Sequence, residues 1–367
     1  MVGPRRADGV RRLGFVTWTD DRPTGGNVYN EALVSALESL GTEVVLHRVP
    51  GRWPEADRID RERLGMILRT EQILLVDGIV ASGAPDAMSA AVASGRQVTV
   101  LLHMLAADEV GLTEVSRARR FAAEGRTLRS ASGVLTPSRH AARRVAERYG
   151  RVEVAVAPPG VSPAPRAVGS SSGDPRLLTI AALTPTKDPI TLVRALALLR
   201  DLSWTAHWVG SDEVHRDYTA RVRTELETTG LGSRLLLRGI RIGPALEAEW
   251  AAADMLVLPS RAETYGLVVS EALAHGVPAV VTAETGAVEA LDAGSRPPVD
   301  TAAPARPGTA VRGGDPVALA GVLRSWLTDP DLRHRWRAAA VDRRDNLPGW
   351  GSTAEAVLAY LTRTAVS

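Results

Sequence analysis

The chain has 367 residues, of which 45% are hydrophobic and 23% are charged, proportions that exclude a wholly disordered or fibrous protein. This length allows two domains, each with its own core. Basic and acidic residues number 44 and 42, so the net charge of +2 predicts no nucleic-acid partner. Aromatic residues make up only 4% of the chain, which predicts aliphatic cores.

Cysteine is absent, which excludes a disulfide framework, a thiolate metal site and a cysteine nucleophile. A reducing, cytoplasmic compartment is therefore expected. The apolar run 13–18 is too short for the core of a signal peptide, and no stretch reaches the ~20 apolar residues of a membrane-spanning helix. We expect a soluble protein, with peripheral membrane contact as a secondary alternative.

Short aliphatic runs alternate with longer stretches whose apolar residues recur every three or four positions, which predicts parallel sheets built from βα units. In the first half of the chain the predicted strands are 13–18, 43–49, 73–79, 98–103, 133–137 and 153–157. The first predicted helix covers residues 30–40.

The segment 162–175 is rich in Pro, Ser and Gly and has no periodicity, so it is interpreted as an interdomain linker. Beyond it the predicted strands are 177–183, 206–209, 234–238, 255–258, 279–282 and 309–311. Helices are predicted over 190–199 and 317–327, the second with Asp315 as its N-cap. The pattern predicts an α/β fold of two doubly wound parallel-sheet domains, with ligands at the carboxyl ends of the strands.

The first candidate site is Thr24-Gly25-Gly26-Asn27, predicted as a loop between the first strand and the first helix. Two glycines admit a ligand close to the backbone, and the helix start that follows attracts an anion. The spacing is not that of a dinucleotide fingerprint. A tight turn between strand and helix explains the glycines equally well.

Lys187 is the only lysine of the chain and stands at the start of the predicted helix 190–199. A lysine there opposes the helix dipole unless an anion is bound. Its retention in a chain that otherwise uses arginine indicates that a compact cation is needed. Chance placement of a surface lysine is the alternative.

The third candidate site is the segment 263–271, ETYGLVVSE, which follows the predicted strand 255–258. If most of it is helical, Glu263 lies in a loop and Glu271 lies on the same face about two turns into the helix. Bare amides at the helix start suit a diphosphate, and carboxylates accept hydrogen bonds from the hydroxyls of a diol. A solvated helix end is the alternative, which the apolar neighbours of Glu271 fit poorly.

A strand followed by Pro259-Ser260, then glutamate, aromatic residue and glycine, then a second glutamate before residues 272–278, resembles the signature of the retaining GT-B glycosyltransferases of family four. Lys187 falls at that family's diphosphate-binding lysine, Gly25-Gly26 matches its glycine loop, and His103 matches its donor-sugar histidine. The resemblance covers nearly the whole chain. It implies two Rossmann-like domains facing a central cleft, with residues 1–165 binding the acceptor, 166–345 binding the donor, and 346–367 forming a helix that crosses back onto the first domain.

The implied activity is transfer of a sugar, with retained anomeric configuration, from a nucleotide-diphosphate sugar to a small-molecule or glycan acceptor. A front-face mechanism without metal or cofactor is expected. The implied catalytic residues are His103, Lys187 and Glu263. The implied donor-binding residues are Gly25, Gly26, Lys187, Arg238, Gly239, Ile240, Glu263, Tyr265, Gly266, Leu267 and Glu271. Within this set Glu263 binds the sugar, Glu271 binds the ribose, and residues 238–240 lie near the base. The candidate acceptor-binding residues are Trp18, Asp20, Asp21, Tyr29, Asp77 and Met104.

One departure from the family is Ala182, where many members carry an arginine that partners the lysine on the diphosphate. Either Lys187 acts with helix dipoles alone, or another arginine, Arg261 or Arg139, substitutes. The only Asp-x-Asp sequence, 329–331, is interpreted as a structural turn.

Two other functions stay open: a phosphorylase of the same fold that uses inorganic phosphate, and a non-catalytic carbohydrate-binding protein. A pyridoxal-dependent phosphorylase is disfavoured because the single lysine is already assigned to the phosphate site.

Residues 117–148 contain nine arginines against two glutamates. Such a surface suits anionic lipid. A solvated helix face is the preferred interpretation, because the segment lacks exposed aromatic anchors.

Overall fold

A computed structural model describes residues 10–19, 24–109, 111–150, 153–171, 173–295 and 305–365. The chain divides into two compact units. Unit 1 comprises residues 1–160 and 348–367, and unit 2 comprises residues 161–347. The sequence places the division at 165/166 and 345/346. Asp20 and Asp21, two candidate acceptor-binding residues, lie outside the described residues.

Unit 1 contains a parallel sheet of six strands in the order β2-β1-β3-β4-β5-β6. Its strands are β1 (Arg12–Trp18), β2 (Glu43–Val49), β3 (Ile73–Asp77), β4 (Gln97–Leu101), β5 (Gly133–Thr136) and β6 (Val154–Val156). All six predicted strands are confirmed. The predicted strand 73–79 ends two residues early, because the Asp77 side chain accepts a hydrogen bond from the Ile79 amide and starts a helix there.

The helices of unit 1 are α1 (Gly25–Ser39), α2 (Arg58–Ile67), α3 (Gly78–Gly83), α4 (Pro85–Ala93), α5 (Glu114–Ser130) and α6 (Arg139–Tyr149). The prediction that the first helix begins at residue 30 is wrong. Thr24 caps α1 by accepting a hydrogen bond from the Asn27 amide at 3.2 Å, so Gly25 and Gly26 form the first turn rather than a preceding loop.

Unit 2 contains the second parallel sheet, with strand order β12-β11-β10-β7-β8-β9. Its strands are β7 (Arg176–Ile180), β8 (Thr205–Val209), β9 (Leu235–Gly239), β10 (Met255–Leu258), β11 (Ala279–Thr282) and β12 (Gly308–Val311). Its helices are α7 (Pro189–Ala197), α8 (Arg216–Thr229), α9 (Pro244–Ala251), α10 (Leu267–Ala274), α11 (Ala287–Leu291), α12 (Pro316–Thr328) and α13 (Pro330–Arg344). The six predicted strands and the Asp315 N-cap of α12 are confirmed. The strand order reverses between β7 and β10.

The core of unit 2 corrects the prediction of a purely aliphatic interior. Its four largest fully buried side chains are tryptophans, namely Trp204, Trp208, Trp250 and Trp326. Three of them share one apolar cluster with the aliphatic residues of β7 and α7, and Trp250 lies in a second cluster. A few aromatic residues therefore contribute much of the buried volume of unit 2, because these four large side chains are all fully buried.

The predicted linker 162–175 has no regular secondary structure in its described part, but it is fastened to unit 2. The amides of Ala167 and Val168 donate to the carbonyls of His275 and Ala251, each at 2.9 Å. Ala167 is buried in the core of unit 2. This segment is therefore an ordered part of the surface of unit 2 rather than a free tether.

The last helix, α14 (Trp350–Ala365), belongs to unit 1 and confirms the expected return of the chain to the first domain. The hydroxyl of Tyr360 accepts a hydrogen bond from the Val134 amide at 3.2 Å, and Gln97 donates to the Leu361 carbonyl at 2.7 Å. Trp350 packs edge-on against Tyr29 of α1. Across the described residues, none of the helices is long and apolar enough to cross a membrane.

Candidate nucleotide-sugar site

The loops at the carboxyl ends of β7 and β10 form the candidate site of unit 2. In a doubly wound sheet ligands bind where the strand order reverses, and β7 and β10 flank that point. Lys187 follows β7 and Glu263 follows β10, and their side chains meet with 2.5 Å between Nζ and Oε1. Lys187 is 30% exposed and Glu263 is 10% exposed, so the ammonium remains accessible from solvent.

A second ion pair fastens the same two loops. Asp188, which is buried, precedes α7 in a left-handed conformation with φ 49°. Its carboxylate accepts hydrogen bonds from the Thr191 hydroxyl at 2.7 Å and from Arg261 Nε at 2.9 Å. The Arg261 amide also donates to the Thr186 carbonyl at 2.8 Å. These contacts fix the position of Lys187 relative to the loop that carries Glu263.

Gly286 packs closely against the backbone that leads from Glu263 to α10. The Gly286 amide donates to the Glu263 carbonyl at 2.8 Å, and a Cβ at Gly286 would lie only 2.0 Å from the Thr264 carbonyl oxygen. Gly266 caps α10 with φ 88°, a left-handed conformation that favours glycine. No side chain caps α10, and the Val269 amide donates to the Gly266 carbonyl at 2.9 Å. That the first amides of this helix bind an anion stays a prediction.

Glu271 is the fifth residue of α10, so the expectation that it lies about two turns into the helix is wrong by nearly a turn. Its side chain is partly buried and makes no hydrogen bond or ion pair with any described residue. Burial, together with the negative charge of Glu247, raises the pKa of the Glu271 carboxyl to about 7. An unpartnered carboxyl of this kind is suited to hydroxyl groups supplied by a ligand.

The predicted base-binding segment, Arg238 to Ile240, ends the edge strand β9. Arg238 Nε donates to Glu249 of α9 at 3.0 Å, and the other oxygen of Glu249 lies 2.5 Å from Nδ1 of the buried His207. The Gly239 carbonyl accepts from the Gly210 amide at 2.9 Å. Arg238 is thus anchored to the unit, and the half-exposed Ile240 is accessible to a ligand.

His103, which follows β4 in unit 1, belongs to a buried polar cluster. Asn30 donates from Nδ2 to Asp77 at 2.9 Å, so its Oδ1 faces His103 Nε2 at 2.7 Å. This arrangement places the imidazole proton on Nε2 and leaves a lone pair on Nδ1. Burial lowers the pKa of His103, against the opposing charge of Asp77, so the imidazole is neutral at pH 7. Gly26 lies beside the ring, since its Cβ would approach Cδ2 at 3.3 Å.

The candidate acceptor residues of unit 1 differ in their accessibility. Tyr29 is 1% exposed, and its hydroxyl donates to the Ala157 carbonyl at 2.8 Å, so its assignment as an acceptor contact is corrected to a core residue. Asp77 is buried, caps α3 and accepts a hydrogen bond from Asn30, so it orients the amide that contacts His103. Trp18 donates its indole N–H to the Gly51 carbonyl. Met104 is exposed and stays a candidate.

The basic segment 117–148 forms α5, β5 and α6, and acidic residues from elsewhere in unit 1 pair with it. Arg120 binds Glu55 and Glu109, and Arg144 and Arg148 share Asp108. The segment does contain an exposed aromatic residue, Phe121, contrary to the sequence expectation, but this ring stacks on Tyr149. The paired arginines support the interpretation as a solvated helix face.

The Asp-x-Asp sequence has the structural role expected of it, because Asp329 caps α13 by accepting hydrogen bonds from the Asp331 and Leu332 amides.

Sequence reasoning missed three supporting residues, namely Asn30, Asp188 and Gly286. Asn30 is a polar residue on the apolar face of α1, which is a readable signal. The positions of Asp188 and Gly286 depend on loops far apart in sequence, which no local pattern indicates.

The sequence model of the family described as glycosyl transferases group 1 matches residues 163–343. A D-inositol 3-phosphate glycosyltransferase of Kineococcus radiotolerans is 32% identical over 250 residues, which cover 60% of this chain and 54% of that protein. The chain therefore spans about half the length of this curated relative.

Solved structures show the fold. A sucrose-phosphate synthase of Thermosynechococcus elongatus superposes with a TM-score of 0.77 at 20% identity, covering 97% of this chain and 100% of that one. HepE of Anabaena, solved in complex with UDP and glucose, superposes with a TM-score of 0.74 at 16% identity. The superposition covers 96% of this chain and 100% of HepE. The predicted GT-B fold is confirmed.

Proposed function

The chain belongs to the glycosyl transferases group 1 through residues 163–343, and from this premise we propose that it transfers a sugar from a nucleotide-diphosphate sugar to an acceptor hydroxyl. The observation that carries the proposal is the pairing of Lys187 with Glu263 where the strand order of unit 2 reverses. The unpartnered Glu271 lies in the helix that follows.

Lys187 acts on the diphosphate. Negative charge develops on the departing phosphate as the glycosidic bond breaks, and a fixed ammonium stabilises that charge more than it stabilises the ground state. Glu263 holds Lys187 in place from one side. The free amides at the start of α10 add further donors in the same loop.

The two glutamates act on hydroxyl groups. Glu263 accepts hydrogen bonds from the donor sugar, and Glu271 accepts them from the ribose diol. With a pKa of about 7, Glu271 is only partly ionised at neutral pH in the free protein. Hydroxyl donors stabilise the ionised form, so nucleotide binding lowers this pKa and strengthens as the pH rises through 7. The base lies near residues 238–240.

The proposed reaction retains the anomeric configuration. The acceptor oxygen bonds to the anomeric carbon on the face from which the phosphate departs, while a phosphate oxygen takes the acceptor proton. Positive charge comes from Lys187 and from backbone amides, so no metal or cofactor is required. His103, Gly25 and Gly26 stay predictions from the resemblance to the family.

The acceptor is proposed as a small molecule or glycan. D-inositol 3-phosphate is a specific candidate because it occurs in the name of the curated relative. The match spans about half of that protein, so the acceptor class is kept broad.

A thermal-shift screen of the full chain against UDP, GDP, dTDP and ADP sugars tests the donor. A ligand at one hundred times its Kd stabilises the folded state by about 2.7 kcal/mol, which is readily measured. The donor that binds is then offered with acceptors, and release of nucleoside diphosphate is followed in the presence of a chelator. Turnover supported by inorganic phosphate instead would identify a phosphorylase, and binding of sugars without turnover would identify a carbohydrate-binding protein. An inverted product would contradict the mechanism.

A further inference from the structure

A cavity of about 370 Å³ lies in unit 1, where the end of α5 and the start of β5 meet α14. Its lining includes Arg129, Ser132, Gly133, Tyr149, Glu153 and Tyr360. We propose that this cavity binds a small zwitterion of the α-amino acid type, whose carboxylate contacts Arg129 and whose ammonium contacts Glu153. The proposal is independent of the transfer reaction, because it concerns a different part of the molecule.

The cavity lies at the amino end of β5, away from the edge of the sheet that carries His103. Ser132 directly precedes β5, and Gly133 is the first residue of this strand. His103 instead follows the carboxyl end of β4, the parallel neighbour of β5, and the ligands of a doubly wound sheet bind at that carboxyl edge. The cavity is therefore a separate site. Its volume is near the lower limit of ligand pockets, which span roughly 300–1,000 Å³, so its occupant is small.

Two opposite charges line the cavity without a partner. Arg129 lies in the last turn of α5, Glu153 directly precedes β6, and both side chains are exposed. Neither forms a hydrogen bond or an ion pair with any residue in the described part of the chain. In this respect Arg129 differs from Arg120 and Arg148 of the same basic segment, which are paired. A guanidinium and a carboxylate that line one cavity without bonding to each other match the two charged groups of a zwitterion.

Gly125 allows the Arg129 side chain to lie against an aromatic wall of the cavity. A Cβ at Gly125 would be 3.2 Å from Arg129 Nη1 and 3.1 Å from Tyr149 Cδ1, so the guanidinium lies close to the tyrosine ring. The Tyr149 ring is itself held in place, because its hydroxyl donates to the buried Glu124 and its face stacks on Phe121. The charged end of Arg129 therefore borders the cavity beside a fixed ring.

Two hydroxyl groups at the cavity have protons to donate. Tyr360 is 2% exposed, and its oxygen accepts a hydrogen bond from the Val134 amide at 3.2 Å. The Ser132 oxygen accepts from the Val98 amide at 3.0 Å. Among the described residues neither hydroxyl has an acceptor for its own proton. Burial raises the pKa of Tyr360, so the phenol keeps its proton at neutral pH and can donate it to a ligand carboxylate.

The balance of charge favours a zwitterion over a simple ion. Arg129 and the two hydroxyl donors attract a carboxylate, but Glu153 and the negative end of the α5 dipole oppose a lone anion. A lone cation is repelled by Arg129. Only a molecule that carries both charges uses all of these groups.

The test measures binding of the standard amino acids to the full chain by thermal shift and calorimetry, with acetate and methylammonium as probes of a single charge. Arg129→Gln and Glu153→Gln each remove one charge of the cavity. Arg126→Gln is the matched control, because Arg126 lies on the same helix and is exposed but pairs with Asp86 outside the cavity. All three variants replace exposed side chains, so the wild-type melting temperature is expected in each.

At least one amino acid is expected to bind the wild type, about tenfold or more tightly than acetate or methylammonium. Arg129→Gln and Glu153→Gln are each expected to weaken its binding by about tenfold or more, the effect of a lost charged hydrogen bond. Arg126→Gln is expected to bind it as the wild type does.

Absence of binding by every amino acid would overturn the inference and leave the proposed function standing. Equal affinity in the wild type and in either cavity variant would also overturn it, because the ligand would then bind elsewhere. Acetate that binds as tightly as the amino acid would identify a simple anion site and would overturn the zwitterion.

Discussion

Replacing Glu271 with glutamine is expected to stabilise the protein while it impairs nucleotide binding. The folded protein raises the pKa of this carboxyl from its usual value near 4.5 to about 7. At pH values between these two pKa values, the folded state holds a proton that the unfolded state has released. The free energy of unfolding therefore falls as the pH rises through this range. Each pH unit of this range lowers the free energy of unfolding by about 1.4 kcal/mol, so the loss reaches about 3 kcal/mol at alkaline pH.

Urea denaturation followed by tryptophan fluorescence at about pH 5 and about pH 8 measures this difference. Glu271→Gln carries no charge at residue 271 at either pH. Its free energy of unfolding is therefore expected to exceed that of the wild type at about pH 8 and to approach it at about pH 5. Glu247→Gln serves as a comparison, since removing the charge of Glu247 lowers the pKa of Glu271. This variant is expected to lose less free energy of unfolding between about pH 5 and about pH 8 than the wild type does. Equal stability of wild type and Glu271→Gln at both pH values would refute the assigned burial of this charge.

Three further predictions concern other parts of the chain. Lys187→Met is expected to lower the transfer rate by about one hundredfold or more, and to lower the melting temperature because Glu263 loses its partner; a near wild-type rate in a steady-state assay would contradict its role. Glu249→Ala leaves His207 and Arg238 unpaired and is expected to lower the free energy of unfolding by about 3 kcal/mol in urea titrations; a loss of a few tenths would show that this network contributes little. The paired arginines of 117–148 predict negligible sedimentation with anionic vesicles at low salt, and substantial sedimentation would restore the membrane alternative.

The fold could be predicted from the sequence largely because its strands are buried on both faces. Such strands are continuous aliphatic runs, and the fully buried β10 and β11 match their predicted bounds. The start of α1 could not be placed by the same means. The Gly25-Gly26 pair is typical of a turn, but hydrogen bonds from the Asn27 and Val28 amides to the side chain and the carbonyl of Thr24 extend the helix through it.

The site was predictable in its residues but not in its contacts. A lysine at a helix start and a glutamate pair are local signals that can be read from spacing. The bond between Lys187 and Glu263 joins positions 76 apart, and the anchoring of Arg261 on Asp188 joins positions 73 apart. Both depend on β7 and β10 being neighbours, which follows from the strand order and not from any local pattern.

Calorimetric titration of the full chain with UDP, GDP, dTDP and ADP tests the central claim most directly, because it reports on the diphosphate site without any knowledge of the acceptor. One of these nucleotides is expected to bind the wild type, and Lys187→Met is expected to bind it at least about tenfold more weakly through the lost charged contact. Absence of binding to all four, or equal binding by a folded Lys187→Met variant, would contradict the assignment of the site.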